Sequence, residues 1–235
     1  MQLNELNQAK DRIFSIIAHD LRSPLGSVLS LASLLHDDAS RMKADEVTEI
    51  VGMISNSVRN TLGLLDNLLS WSRSQTGRIK VNPQTFSLTD LVKKVYALNE
   101  DTAKIKQLRL LDHVAVETKV HTDLDLLQIV LQNLVTNAIK FSFPHGQIAI
   151  SAFAEGEEML IQVSDLGRGM DAEECDRLFQ LTTNTSRPGT NNEKGSGLGL
   201  ILCYELMLKL GGSIGVESAP GLGSTFTLRL PTSNG

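Results

Sequence analysis

The sequence predicts an α+β protein in two parts. An N-terminal two-helix hairpin pairs with a second copy of itself into a dimeric four-helix bundle, and a C-terminal α/β sandwich follows. Three observations carry this. Residues 1–80 repeat apolar side chains at helical spacing and hold almost no strand signal. Residues 85–235 alternate helix-like and strand-like segments, as expected for one sheet with helices on one face. Turn chemistry at Ser74-Gln75-Thr76-Gly77 and Asn82-Pro83 marks the seam between them.

In the first part, Leu6, Ile13, Ile16, Ile17, Leu21, Val28, Leu31, Leu34 and Leu35 recur with the period of a helix that ends near His36. Asp37-Asp38-Ala39-Ser40 breaks the run. Val47, Ile50, Val51, Ile54, Val58, Leu62, Leu65, Leu68 and Leu69 then carry a second helix. Each is about 30 residues long, and a short turn makes them antiparallel. A lone hairpin cannot bury both faces of such stripes. A second copy solves this; packing against residues 85–235 is the other solution.

The second part opens with a short strand over 86–88 and a helix over 89–105 capped by Thr89 or Ser87. Short strands follow at Arg109–Val114 and Lys119–His121. Asp123 caps a strong helix to about Lys140. Gln147–Ala154 and Met159–Ser164 alternate like paired strands around Glu155-Gly156-Glu157. A short helix over 171–179, a polar loop over 181–196 and a helix over 197–210 come next. Ser213–Glu217 and Ser224–Leu230 close the chain as a hairpin over Pro220-Gly221-Leu222-Gly223.

Composition narrows the function. Of 235 residues, 41 % are hydrophobic and 21 % charged, an ordinary globular mix that excludes bulk disorder. A net charge of −5 argues against a general nucleic-acid binder. No apolar run is long enough to span a membrane, and no signal peptide is apparent. The two cysteines, Cys175 and Cys203, lack metal spacing and suit a reducing compartment.

Four segments could carry chemistry. His19-Asp20-Leu21-Arg22-Ser23-Pro24 lies inside the first helix. His19 falls beside the apolar stripe, so it faces solvent, and Pro24 bends the helix where it sits. A neutral imidazole on such a face can act as a nucleophile. Ser23 lies one turn on, and Asp20 is adjacent. A surface histidine beside a proline kink is the plainer alternative. Asn133, Asn137 and Lys140 share one helix face, opposite Leu127, Val130, Leu131, Leu134, Ala138 and Phe141. Two amides and a cation in line offer a metal-ligating oxygen, hydrogen-bond donors and a phosphate-pairing charge, or merely a solvated face.

Asp165-Leu166-Gly167-Arg168-Gly169 follows a strand. Its glycines let backbone approach a flat ligand, and its carboxylate can accept from an exocyclic amine. The fourth segment, Gly195-Ser196-Gly197-Leu198-Gly199-Leu200, opens a helix, where backbone N–H groups favour phosphate oxygens. It is neither a P-loop nor a dinucleotide fingerprint. The loop before it is long enough to be a lid, with Arg187 and Lys194 as possible phosphate contacts or as plain solvated charges.

Taken in order, these segments resemble the core motifs of sensor histidine kinases of two-component systems. The His19 segment is similar to the phosphoacceptor box, Asn133–Ala138 to the N-box and Asp165–Gly169 to the first glycine box. Phe179 is similar to the aromatic box before the lid, and Gly195–Leu200 to the second glycine box. The match spans about residues 10–230. The resemblance implies a dimerising phosphotransfer hairpin over 1–80 and a Bergerat-type ATP-binding domain over 81–235. It implies ATP and Mg²⁺ as cofactors, with Asn137 the metal ligand and Asn133 and Lys140 on phosphates or ribose. Asp165 would hold the adenine amino group. Gly167, Gly169, Lys194, Gly195, Gly197, Leu198 and Gly199 would shape the pocket and its lid.

The resemblance also implies that His19 attacks the γ-phosphoryl, with Asp20 orienting or deprotonating the ring. The phosphoryl then passes to an Asp on the receiver domain of a response regulator. The expected setting is a cytoplasmic homodimer, with any membrane tether lying outside this chain. One departure concerns Ser23. The family often has Thr or Asn there to position a water, which puts phosphatase activity in doubt. Two other readings share the fold or its ligand. ATP hydrolases of the gyrase or MutL type carry Glu at the first N-box position, where Asn133 is a poor base. A scaffold signalling by conformation alone would not need His19.

Overall fold

The structure, a computed structural model, describes residues 21–22, 24–37, 41–75, 80–179, 188–191, 193 and 198–232. The chain separates into two compact units, Met1–Ser72 and Arg73–Gly235.

The first unit holds α1 (24–37) and all but the last three residues of α2 (Ala44–Gln75). Asp45 and Glu46 sit in the first turn of α2, where the helix dipole favours negative charge, and the Glu46 carboxylate accepts from the Lys43 N–H at 2.8 Å. The Ser57 hydroxyl donates to the Pro24 carbonyl at 3.2 Å, joining the two helices. Val28, Leu31 and Leu35 on α1 and Val47, Ile50 and Ile54 on α2 are only half-buried. Leu29, Val51, Val58, Leu62 and Leu65 form a second apolar set that is exposed in the single chain. No described residue of this unit is fully buried.

The second unit has its own core. It contains β1 (Gln84–Ser87), α3 (Leu88–Ile105), β2 (Arg109–His113), β3 (Lys119–Thr122), α4 (Leu124–Phe141) and β4 (Gln147–Glu155). β5 (Glu158–Asp165), α5 (Ala172–Arg177), α6 (Leu198–Lys209), β6 (Ser213–Ala219) and β7 (Gly223–Pro231) complete it. Five strands form one sheet in the order β2-β4-β5-β7-β6, with β2 parallel to β4 and every other pair antiparallel. α4 packs between α3 and α6 on one face. Leu127, Leu131 and Leu134 of α4 meet a core that includes Ile148, Ile161 and Leu228 of the sheet and Leu206 of α6, all fully buried. The other sheet face is polar, with Ser164 against Thr225 at 2.9 Å and Gln162 against Thr227 at 3.2 Å.

Two local expectations change. The segment holds a second sheet, an antiparallel ribbon of β1 and β3. A parallel pair needs a crossover, and the β2-to-β4 crossover contains β3, so β3 pairs outside the main sheet. Leu88 belongs to the helix rather than to the strand before it. Ser87 stays extended and its hydroxyl accepts from the Asp90 N–H at 3.2 Å, which starts α3 at the next residue and sends Leu88 into the core. Cys175 and Cys203 are both free thiols. No helix among the described residues is long and apolar enough to cross a membrane.

Candidate functional site

The site is built on α4. Asp123 caps it, accepting from the Leu126 N–H at 3.0 Å. With Leu127, Val130, Leu131, Leu134 and Ala138 committed to the core, helical spacing leaves Asn133, Asn137 and Lys140 half-buried on another face. The Asn133 amide donates to the Ile129 carbonyl at 2.9 Å. Its oxygen lies 2.8 Å from where a Cβ on Gly199 would stand, so the first turn of α6 rests on Asn133 because Gly199 lacks a side chain. Phe141 departs from its expected place in the core: it is half-buried, with the Lys140 ammonium 4.6 Å and the Arg168 guanidinium 5.6 Å from its ring centre. Burial pulls the Lys140 amine below its ordinary range, and the neighbouring Arg168 and Lys106 add to this against Glu193.

Asp165 ends β5, 7 % exposed. Its Oδ1 accepts from the Gly167 N–H at 2.8 Å. Burial pushes its carboxyl up to about 6, although the Gly167 and Ser224 N–H groups draw it down. The glycines beside it are obligatory. A Cβ on Gly167 would strike the Phe141 carbonyl and stand 2.7 Å from Asp165 Oδ1, and Gly169 has φ +64 with the Ala219 carbonyl where a Cβ would go. The Gly221 N–H donates to the Arg168 carbonyl at 2.6 Å and the Met170 N–H to the Ser218 hydroxyl at 2.9 Å, strapping this loop to the β6–β7 hairpin.

The C-terminus of α4 gathers the remaining pieces. Its last carbonyls have no partners within the helix. That of Ala138 accepts from the Ser142 N–H at 3.0 Å. Those of Ile139 and Lys140 each accept from the Lys106 ammonium at 2.8 Å. The Thr190 N–H also reaches the Lys140 carbonyl at 3.1 Å, and the Arg168 N–H reaches that of Phe141 at 3.2 Å. The first glycine segment and the stretch near Thr190 are thereby fixed to the helix that carries Asn133, Asn137 and Lys140.

Residues 122–234 match the sequence family described as histidine kinase-, DNA gyrase B-, and HSP90-like ATPase, and residues 9–77 match the His Kinase A (phospho-acceptor) domain. The chain belongs to the histidine kinase family. It is 30 % identical over 228 residues to the circadian input-output histidine kinase CikA of Synechococcus elongatus, covering 96 % of this chain and 30 % of that protein. The chain therefore spans about a third of this curated relative. The structure of the Acinetobacter baumannii histidine kinase AdeS superposes with a TM-score of 0.72 at 25 % identity, covering 92 % of this chain and 98 % of that one. The fold is shared with histidine kinase ThkA in its complex with response regulator protein TrrA, with a TM-score of 0.72, 19 % identity, and 99 % and 66 % of the two chains covered.

Within this member of the family, Asn133, Lys140, Asp165, Gly167, Gly169 and Gly199 lie in one connected region of the second unit, with Asn137 between Asn133 and Lys140 on α4. Leu198 is the first residue of α6. His19, Asp20, Ser23, Arg187, Lys194, Gly195 and Gly197 lie outside the described residues. Phe179, the aromatic-box residue, stacks on Tyr204 of α6 with ring centres 5.8 Å apart. No group of three or more His, Cys, Asp or Glu suited to a metal exists among the described residues. A divalent cation here would rest on an amide oxygen such as that of Asn137, with water and ligand oxygens completing its shell, which fits Mg²⁺ better than a softer ion. Sequence reasoning missed Lys106, Thr190 and Glu193. Their role depends on backbone carbonyls, which no side-chain pattern reveals.

Proposed function

We propose that this chain is the catalytic core of a two-component sensor kinase. Residues 81–235 bind ATP, and residues 1–80 present His19 to receive its γ-phosphoryl group. The observation that carries this reading is the union of a buried acceptor, Asp165, with the polar α4 face, through a glycine segment that leaves no room for side chains. Asp165 accepts from the adenine amino group. Gly167 and Gly169 let the loop after Asp165 lie against the Phe141 and Ala219 carbonyls, which holds that carboxylate in place beside the base. Asn133 and Lys140 contact phosphate or ribose oxygens, and the second glycine segment, from Lys194 through Gly195, Gly197, Leu198 and Gly199, flanks the phosphates. Mg²⁺ held on Asn137 would neutralise charge on the transferring group.

The lone pair on Nε2 of a neutral His19 forms the N–P bond as the O–P bond to ADP breaks. Asp20 holds or deprotonates the ring. Such transfer asks for in-line placement more than for covalent help from the protein. An aspartate of a response-regulator receiver domain then takes the phosphoryl group. ThkA, which shares the fold, is described in complex with such a regulator. The exposed Leu29, Val51, Val58, Leu62 and Leu65 support a homodimer in which a second copy covers them. ATP use favours a cytoplasmic setting. Ser23 retains a hydroxyl for positioning a water, without the χ1 restriction of threonine.

Incubation with Mg²⁺ and γ-labelled ATP tests the proposal. It requires acid-labile, alkali-stable label on the protein that His19→Gln abolishes. Free phosphate with no labelled protein would assign hydrolysis instead. Binding with neither product would leave a signalling scaffold.

A further inference from the structure

We propose that Lys106 and Glu193 form a buried clasp that positions the nucleotide site, with Lys106 a positioning residue for the reaction rather than a group touching substrate. This rests on the ATP-binding reading above.

Lys106 follows α3, and its side chain is only 3 % exposed. An ammonium taken out of water must satisfy its three donors. It does so completely: on the Ile139 carbonyl at 2.8 Å, the Lys140 carbonyl at 2.8 Å and Glu193 Oε1 at 2.7 Å. Two of these acceptors are the terminal carbonyls of α4, where the helix dipole favours a cation. The third draws in a distant part of the chain. Glu193 Oε2 accepts from the Asn191 N–H at 2.7 Å, and the Glu193 carbonyl accepts from the Gly189 N–H at 2.8 Å. Thr190 completes the turn, its hydroxyl donating to the Ser142 carbonyl at 2.6 Å. Gly189 packs so tightly against Lys140 that a Cβ there would lie 2.7 Å from its Cγ. One cation thus holds the end of α3, the end of α4 and the residues Gly189, Thr190, Asn191 and Glu193 together, next to Lys140.

The pair is asymmetric. Lys106 is buried, while Glu193 retains 35 % side-chain exposure. Removing Glu193 leaves Lys106 with two carbonyls and access to solvent. Removing Lys106 strips donors from two helix-terminal carbonyls and leaves Glu193 held only by backbone. Lys106→Met should therefore do more harm than Glu193→Gln, and the pair should be strongly non-additive.

The test uses the whole chain and two readouts. The first is amide hydrogen exchange without nucleotide. Glu193→Gln should speed exchange at Gly189 and Thr190 by about tenfold or more, while β5 and β7 keep their rates. Unchanged exchange at those two amides overturns the clasp. The second is autophosphorylation with varied ATP. Glu193→Gln and Lys106→Met should raise KM by about tenfold or more with kcat nearly kept, and the double variant should be no worse than Lys106→Met. An equal loss of kcat at constant KM, or additive effects, overturns the positioning role. Because exchange is read without ATP, an intact clasp in a chain that binds no nucleotide would refute the ATP reading and not the clasp itself. Should Lys106→Met fail to fold, Glu193→Gln alone decides on both readouts.

Discussion

Replacing Asp165 with Asn should make the nucleotide-free protein more stable at pH 8 while destroying its grip on ATP. The carboxyl is 7 % exposed, and burial raises it from 3.8 to about 6. At 1.36 kcal/mol per unit, holding it ionised at pH 8 costs the fold about 3 kcal/mol. Asn is neutral and of the same shape, and its Oδ1 can still accept from Gly167. Its amide nitrogen gives up an acceptor on the second side, worth about 1 kcal/mol. The balance is a gain of about 2 kcal/mol at pH 8. The sign with pH follows from the direction of the shift. A carboxyl raised in the folded state binds its proton more tightly there, so its penalty is full above about 6, shrinks as pH falls, and is gone below 3.8. The advantage of Asn should shrink through the same window. Urea unfolding of both proteins at pH 8 and at pH 4, each without nucleotide, measures this. A variant that is less stable at pH 8, or an advantage that grows toward pH 4, would refute the reasoning. In exchange, the variant presents a mixed donor and acceptor to the adenine amino group, and ATP affinity should fall by at least tenfold by calorimetry.

Other outcomes follow from the same geometry. Gly169→Ala should cost about 2–4 kcal/mol in urea unfolding, because φ +64 is combined with a Cβ that strikes the Ala219 carbonyl. Gly156→Ala, at φ +60 with open space around it, should cost only about 1 kcal/mol, so equal losses at the two sites would remove the steric argument. Asn137→Ala should bind ATP as the parent does in EDTA but gain nothing from Mg²⁺, and labelling of His19 should vanish. A metal-dependent gain equal to that of the parent would take Asn137 out of the metal site.

Much of the second unit could be read from the chain because local rules and tertiary packing agree there. The apolar positions of α4 repeat at helical spacing and Asp123 caps them, so the polar face with Asn133, Asn137 and Lys140 followed by elimination. In sequence, the glycines of 165–169 predict a close approach of backbone to a flat ligand; the atoms that fill the space of their missing side chains are instead the Phe141 and Ala219 carbonyls of the protein itself. What escaped was whatever depends on pairing between distant backbones. Nothing local says that β3 lies inside a crossover and must pair with β1. Phe141 has the hydrophobic character of a core residue and the spacing to match, yet it falls in the last turn of its helix, where two cations flank its ring.

Lys106 shows why such features stay hidden. In sequence it is one more charge after Asp101 and Lys104, and an exposed lysine after a helix is unremarkable. Its importance comes from the arithmetic of α4. A helix that carries Asn137 and Lys140 near its C-terminus also leaves unsatisfied carbonyls in the same last turn. Water could satisfy them only in a site open to solvent, which would weaken every polar contact to phosphate there. Donors borrowed from Lys106, Thr190 and Arg168 satisfy those carbonyls from within the protein. Three separate segments thereby converge on one helix end, and under the proposed function the positions of Asn137 and Lys140 would depend on residues outside the α4 face that carries them.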